Sequence, residues 1–310
     1  MRKECAACRL LVICLCLVLC AGCSKQPEPE QDDSLSICAT IFPIYALSER
    51  IARDVPDLQV DCLMQPQDGC IRSYELSEWD IAKIAAADAV IMGGRGLEAF
   101  ESALLSEDAQ LPSVSVLPGI ELIGAEEEID DETESHLLGA NPWAFLSVER
   151  AKDMASAIET GLAGFDPDNE ALYHANYESA VSALDGLLAE MMRTLSDVQL
   201  QPVALMHEGL IYMTEELGIE TVTRIDREPG TAIYDNDWEE ALDQLKAGGA
   251  QLVLLEKQAP DAMINTLEQA GYKVALIDTL TTYPIGAQFA HYISAMQVNA
   301  LAIKDAMTAQ

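Results

Sequence analysis

Positive charge is what this 310-residue chain has least of: 18 Lys+Arg stand against 52 Asp+Glu, a formal net charge of −34. A surface so acidic repels phosphate backbones, which excludes nucleic acid as a partner and favours solubility and attraction of cations. Long apolar runs are also missing. The run 10–20 has 11 residues, whereas crossing a hydrocarbon core of about 30 Å takes roughly 20, and no later segment is long enough. Enzyme signatures are absent too. His207-Glu208 opens like a metalloprotease helix, but the second His four residues on is replaced by Ile211. Ser135-His136 has no nucleophile-elbow glycines around it. Gly93-Gly94-Arg95-Gly96 could offer amides to an anion, yet lacks the full dinucleotide spacing. No constellation in the sequence supports an enzyme.

What is present is a globular balance, 50% hydrophobic and 23% charged, in a length that suits one large or two ordinary domains. Five of the nine cysteines (Cys5, Cys8, Cys14, Cys16 and Cys20) fall in the first 22 residues. With Arg2, Lys3 and Arg9 before the apolar run, residues 1–22 read as an export signal. Cys20-Ala21-Gly22-Cys23 resembles a lipobox, which makes Cys23 the acylated first residue of the mature chain, although the usual Leu three places earlier is here Cys20. Residues 23–34 form a flexible tether; from 24 on (SKQPEPEQDDS) nothing in it is apolar. The expected location is extracytoplasmic, on a membrane surface or its periplasmic face, held by lipid. In that oxidising compartment Cys70 has Cys62 or Cys38 as a disulfide partner, with one thiol left over.

From residue 35 short β-rich runs alternate with amphipathic helices. Strands are expected at 36–42, 58–64, 89–92 and 113–117, and helices at 43–54, 77–86 and 97–105. A loop at 124–135 carries EEEIDDETE, whose carboxylates belong in solvent. A helix at 147–162 follows, and then a long one over 168–197, which at 1.5 Å per residue reaches about 43 Å. The alternation restarts with strands at 202–206, 219–225, 251–255 and 273–277 and helices at 208–217, 237–247, 260–270 and 286–307. Alternation of this kind implies parallel strands with crossover helices. The fold class is α/β: an N-terminal lobe at 35–165, a connecting helix at 166–197 and a C-terminal lobe at 198–310. Ligands of such folds bind in the cleft near the C-terminal ends of the strands. Trp79, Trp143 and Trp238 read as core residues, and His174 and His291 as structural or exposed.

The segments ATIFPIY (39–45), YELSEWD (74–80), ADAVI (87–91) and GLE (96–98) resemble the N-terminal lobe of bacterial zinc/manganese ABC-importer receptors. NPWAFLS (141–147), MHE (206–208) and IDTL (277–280) fall where that family has its other markers. The resemblance runs over 36–308. It implies two α/β lobes on a rigid helix, Zn2+ or Mn2+ as cargo, an ABC permease as partner and no catalysis. It also implies four metal ligands, of which His207 and the carboxylate Asp278 match. The other two positions hold Arg72 and Trp143, and neither a guanidinium nor an indole offers a lone pair to a metal.

Further donors stand nearby in the sequence: Cys70, Glu75, His136 and Glu256. Each has a plainer reading, His136 as a loop residue and Glu75 as a brace. A metal-free cleft invites another expectation, that Arg72 neutralises Asp278 and Trp143 fills the remaining space. The alternative function is a metal-free paralogue that serves as a surface adhesin or scaffold, or binds another ligand.

Overall fold

The computed structural model describes residues 34–65, 71, 74–105, 111–124, 140–225 and 235–309. The segment expected to be an export signal, Cys23, Cys70, Arg72, His136 and the acidic run beyond Gly124 lie outside these residues. Residues Leu35–Gln310 form one compact unit.

The unit holds two four-stranded, wholly parallel sheets. The first is built from β1 (Leu35–Ala39), β2 (Leu58–Cys62), β3 (Ala89–Met92) and β4 (Ser113–Ser115), in the order β2-β1-β3-β4. The second repeats that pattern with β5 (Val203–Leu205), β6 (Thr221–Arg224), β7 (Leu252–Glu256) and β8 (Lys273–Ile277), in the order β6-β5-β7-β8. Helices cover both faces of such sheets, so inner strands carry continuous apolar runs. β3 (AVIM) and β7 (LVLLE) are buried along their whole length, whereas edge strand β2 alternates. In each sheet the order reverses between the two inner strands, and this switch point opens a crevice at their C-terminal ends.

Around the first sheet lie α1 (Phe42–Ile51), α2 (Glu78–Ala85) and α3 (Glu101–Leu104), followed by α4 (Val148–Phe165). α5 (Glu170–Leu195) is the long helix, with Tyr173, Ala180, Leu184, Leu187, Met191 and Leu195 buried. Its 26 residues span about 39 Å. The second lobe adds α6 (Leu210–Glu216), α7 (Asp235–Gly248), α8 (Asp261–Gln269) and α9 (Phe289–Thr308). α5 packs on both α4 and α9, and one continuous apolar core joins the lobes. Among the described residues no helix is long and apolar enough to cross a membrane.

Two sequence expectations need correcting. The helix expected over 97–105 is only Glu101–Leu104. Glu98 is buried and turns back to accept from Gly93 N at 2.7 Å, Gly94 N at 3.2 Å and Thr40 Oγ1 at 2.6 Å. The glycine-rich turn thus cradles the chain's own carboxylate, and Gly94, Arg95 and Gly96 all sit at positive φ. Trp79 is 74% exposed and not a core residue. Cys38 and Cys62 are both free thiols, and Cys70, expected to pair with one of them, lies outside the described residues. Cys38 and Cys62 do not face each other: Cys38 is in register with Asp61, which puts the Cys62 side chain on the opposite face of the sheet.

Candidate functional site

The second lobe presents its chemistry at the C-terminal ends of β5, β7 and β8. His207 follows β5, Glu256 ends β7 and Asp278 follows β8. His207 and Glu256 are buried. The His207 Nδ1 accepts a hydrogen bond from Gly209 N at 3.0 Å. A neutral imidazole that accepts at Nδ1 carries its proton on Nε2. Metal-binding histidines use the reverse arrangement, in which the far nitrogen donates and the ligating one is bare. Ligation through Nε2 would therefore require its proton to leave and the Gly209 bond at Nδ1 to be given up.

Asp278 is engaged on every side. Asn299, buried on α9, donates to its carbonyl at 2.8 Å and accepts from its amide at 2.7 Å. Its Oδ1 accepts from Leu280 N at 2.8 Å. Its Oδ2 lies 2.5 Å from Lys257 Nζ, the carboxylate side chain being 12% exposed. The β7/β8 register makes this pairing: Glu256 opposes Ile277, so the next residues, Lys257 and Asp278, come side by side. Among the described residues the cation paired with Asp278 is Lys257, which the sequence reading had not considered. Arg72, given that role there, lies outside the described residues.

Trp143 fills its position from the first lobe. It is fully buried, and its ring stands edge-on to His207, centroids 4.5 Å apart at 82°. Its Nε1 donates to Glu208 Oε1 at 2.8 Å. The backbone of Gly209 comes so close that an added Cβ would lie 2.6 Å from Trp143 Cβ. Asn141 orients this segment, accepting from Trp143 N at 3.1 Å and donating to Glu208 O at 2.7 Å. The Tyr212 hydroxyl binds the Asn141 carbonyl and accepts from Ile123 N.

The lobes are joined further out as well. Glu216, the last residue of α6, accepts from Ser147 Oγ, Val148 N and Glu149 N, each at 2.8 Å. One lobe thereby supplies a carboxylate to the N-terminus of a helix in the other, where it also suits the helix dipole. Tyr283 also crosses to the first lobe, where it stacks on Phe42 at 4.4 Å and donates to Met64 O at 2.6 Å. Tyr292 donates to Phe145 O at 2.8 Å. Between these ties remains a cavity of about 20 Å³ lined mainly by apolar side chains, including Phe42, Ile71, Trp143 and Leu280. It has room for about one water.

The structure therefore brings His207 to Trp143 and Asp278 to Lys257. Among the described residues no group of three or more His, Cys, Asp and Glu is placed to hold a metal ion. Glu75 is exposed. Cys23, Cys70 and His136 lie outside the described residues. Sequence reasoning missed Lys257, Asn299, Tyr283 and Glu216. Lys257 had one readable signal, its place directly after Glu256 at a strand end.

The model of the family described as "ZnuA: Zinc-uptake complex component A periplasmic" matches residues 37–306. The manganese-binding lipoprotein MntA of Halalkalibacterium halodurans is 24% identical over 229 residues, 72% of this chain and 70% of that protein. The substrate-binding protein FpvC of Pseudomonas aeruginosa, solved with Mn2+, superposes with a TM-score of 0.76 at 22% identity, over 89% of this chain and 98% of that one. The Zn(II)-bound ZnuA-like domain of Streptococcus pneumoniae AdcA gives 0.71 at 21% identity, over 89% and 100%. Two parallel-sheet lobes on one long helix, and a family match over nearly all of the folded chain, lead to one conclusion: this chain belongs to the ZnuA family of metal substrate-binding proteins, and it is not an enzyme.

Proposed function

We propose that the chain is the lipid-anchored, extracytoplasmic substrate-binding protein of an ABC importer of the divalent-metal class, with a degenerate cargo site. Acylation at Cys23 would hold it beside its permease. The single observation that carries the degeneracy is the state of the two retained ligands. His207 has its Nδ1 committed to Gly209 N, and Asp278 has Lys257 on Oδ2. Zinc needs about four N, O or S donors at roughly 2.0–2.3 Å, and loss of a mere supporting residue costs about 10–100-fold in affinity. With Arg72 and Trp143 at two positions and both remaining ligands engaged, tight zinc or manganese binding is not expected.

Elemental analysis of protein purified without chelator tests this reading. The expected result is far less than one zinc or manganese per chain. One equivalent, lost on His207→Ala, would instead support a site rebuilt with Cys70, His136, Glu75 or Glu256.

The small apolar cavity favours a second reading, a metal-free paralogue that keeps the fold as a surface adhesin or scaffold. Cross-linking in membranes separates the two: a receptor captures an ABC permease, whereas a scaffold does not.

A further inference from the structure

One side chain binds the loop 278–283 at two points, Asp278 and Thr282. Lys257 Nζ lies 2.5 Å from Asp278 Oδ2 and 3.4 Å from the Thr282 carbonyl. Between them, the Asp278 Oδ1 bond to Leu280 N holds Leu280 at φ +62°, a left-handed conformation that bulky residues rarely adopt. The constraint has a structural outcome. Leu280 is fully buried and lines the cavity between the lobes. Tyr283, next after the clamped segment, crosses to the first lobe. There it stacks on Phe42, donates to Met64 O and reaches Cys62 Sγ at 3.3 Å.

A divalent ion bound at Asp278 would place positive charge where the ammonium now sits. Two cations a few ångströms apart repel, and a largely buried carboxylate left without either is costly. We propose that Lys257 is a resident surrogate for the cargo cation: it neutralises Asp278, ties loop 278–283 shut and keeps the lobes closed without metal, so that a divalent ion reaches Asp278 only by displacing it. Lys257 is on this view a positioning and specificity-determining residue. The inference rests on the degenerate-site reading above, but its test does not depend on metal.

Cys62, half-buried, reports the closure because the Tyr283 hydroxyl is hydrogen-bonded to its sulfur, and burial raises its thiol to about 12. Cys38, fully buried in the sheet and raised to about 11, is the internal control. Iodoacetamide labelling of the full chain, read peptide by peptide, measures both. Lys257→Met keeps length and removes charge, and it should speed Cys62 labelling about fivefold or more while Cys38 stays unchanged, since hydrogen bonds to charged groups are the stronger ones. Lys257→Arg should stay close to the unmutated rate. Asp278→Asn retains an acceptor for Leu280 N and should open Cys62 as Lys257→Met does. An unchanged Cys62 rate in Lys257→Met overturns the proposal, as does an equal rise at Cys38 and Cys62 in both variants. Slowing of Cys62 labelling by Mn2+ in the unmutated protein would instead refute the degenerate-site reading.

Discussion

The Trp143 indole stands edge-on to the His207 imidazole at 4.5 Å, with its Nε1 tied to Glu208, the residue next to that histidine. One lobe thus covers, with a buried aromatic ring, the histidine proposed as a metal ligand in the other. Contact across the cleft is made here by side chains.

Restoring the two lost donors should restore metal binding. On the proposed ligand set, Arg72→His with Trp143→His would return two donors beside His207 and Asp278. Two recovered ligands should raise zinc affinity by about 100-fold or more, judging from the cost of lesser losses. Titration with a competing chelator checks it; an unchanged affinity would mean that the Lys257 and Gly209 contacts to these two residues dominate.

Gly209 is required by space and not by its backbone angle. Its φ is −67°, ordinary for any residue, yet its missing Cβ leaves room for Trp143. Gly209→Ala should cost about 1–3 kcal/mol by overpacking. Urea denaturation measures this, and a cost below about 0.5 kcal/mol, the range of ordinary surface changes, would show that Trp143 yields easily.

The Glu216 cap should be a strong tie between the lobes. Glu216→Ala removes three charge-assisted hydrogen bonds and leaves Val148 N and Glu149 N without that acceptor. The expected loss is about 2–4 kcal/mol, with Glu216→Gln losing less. Chemical denaturation that shows both variants to be neutral would assign the lobe contact to apolar packing alone.

Most of the fold was legible in the sequence because periodicity and turn residues act locally. The strands at 89–92 and 273–277 match observed β3 and β8, since short apolar runs between polar turns have few other solutions. Helix 97–105 failed because Glu98 makes a tertiary bond into the Gly93-Gly94 turn, which outweighs helical propensity. The site was half legible. Substituted positions show up by comparison with a pattern, so Trp143 was found. Lys257 meets Asp278 only through the β7/β8 register, which pairs residues 21 apart in sequence and leaves no local trace.

Glu98 gives the stability a definite pH dependence. Burial raises its carboxyl pKa above the ordinary value, an effect only partly offset by the Thr40, Gly93 and Gly94 donors. The folded state then holds its proton more tightly than the unfolded one, so this contribution is complete below the unfolded pKa of about 4.3 and is lost as pH rises through the folded value. The stability of the unmutated protein relative to Glu98→Gln should therefore fall as pH increases from about 4.3. Denaturant midpoints of the two proteins across that window check the sign; a difference that grows with pH would show that the three donors outweigh burial.

Calorimetric titration of the unmutated, metal-free protein with Zn2+ and with Mn2+ bears most directly on the claim that side chains have taken the place of the metal. The account predicts no stoichiometric, submicromolar binding of either ion. One equivalent bound with submicromolar affinity and abolished by His207→Ala would contradict it.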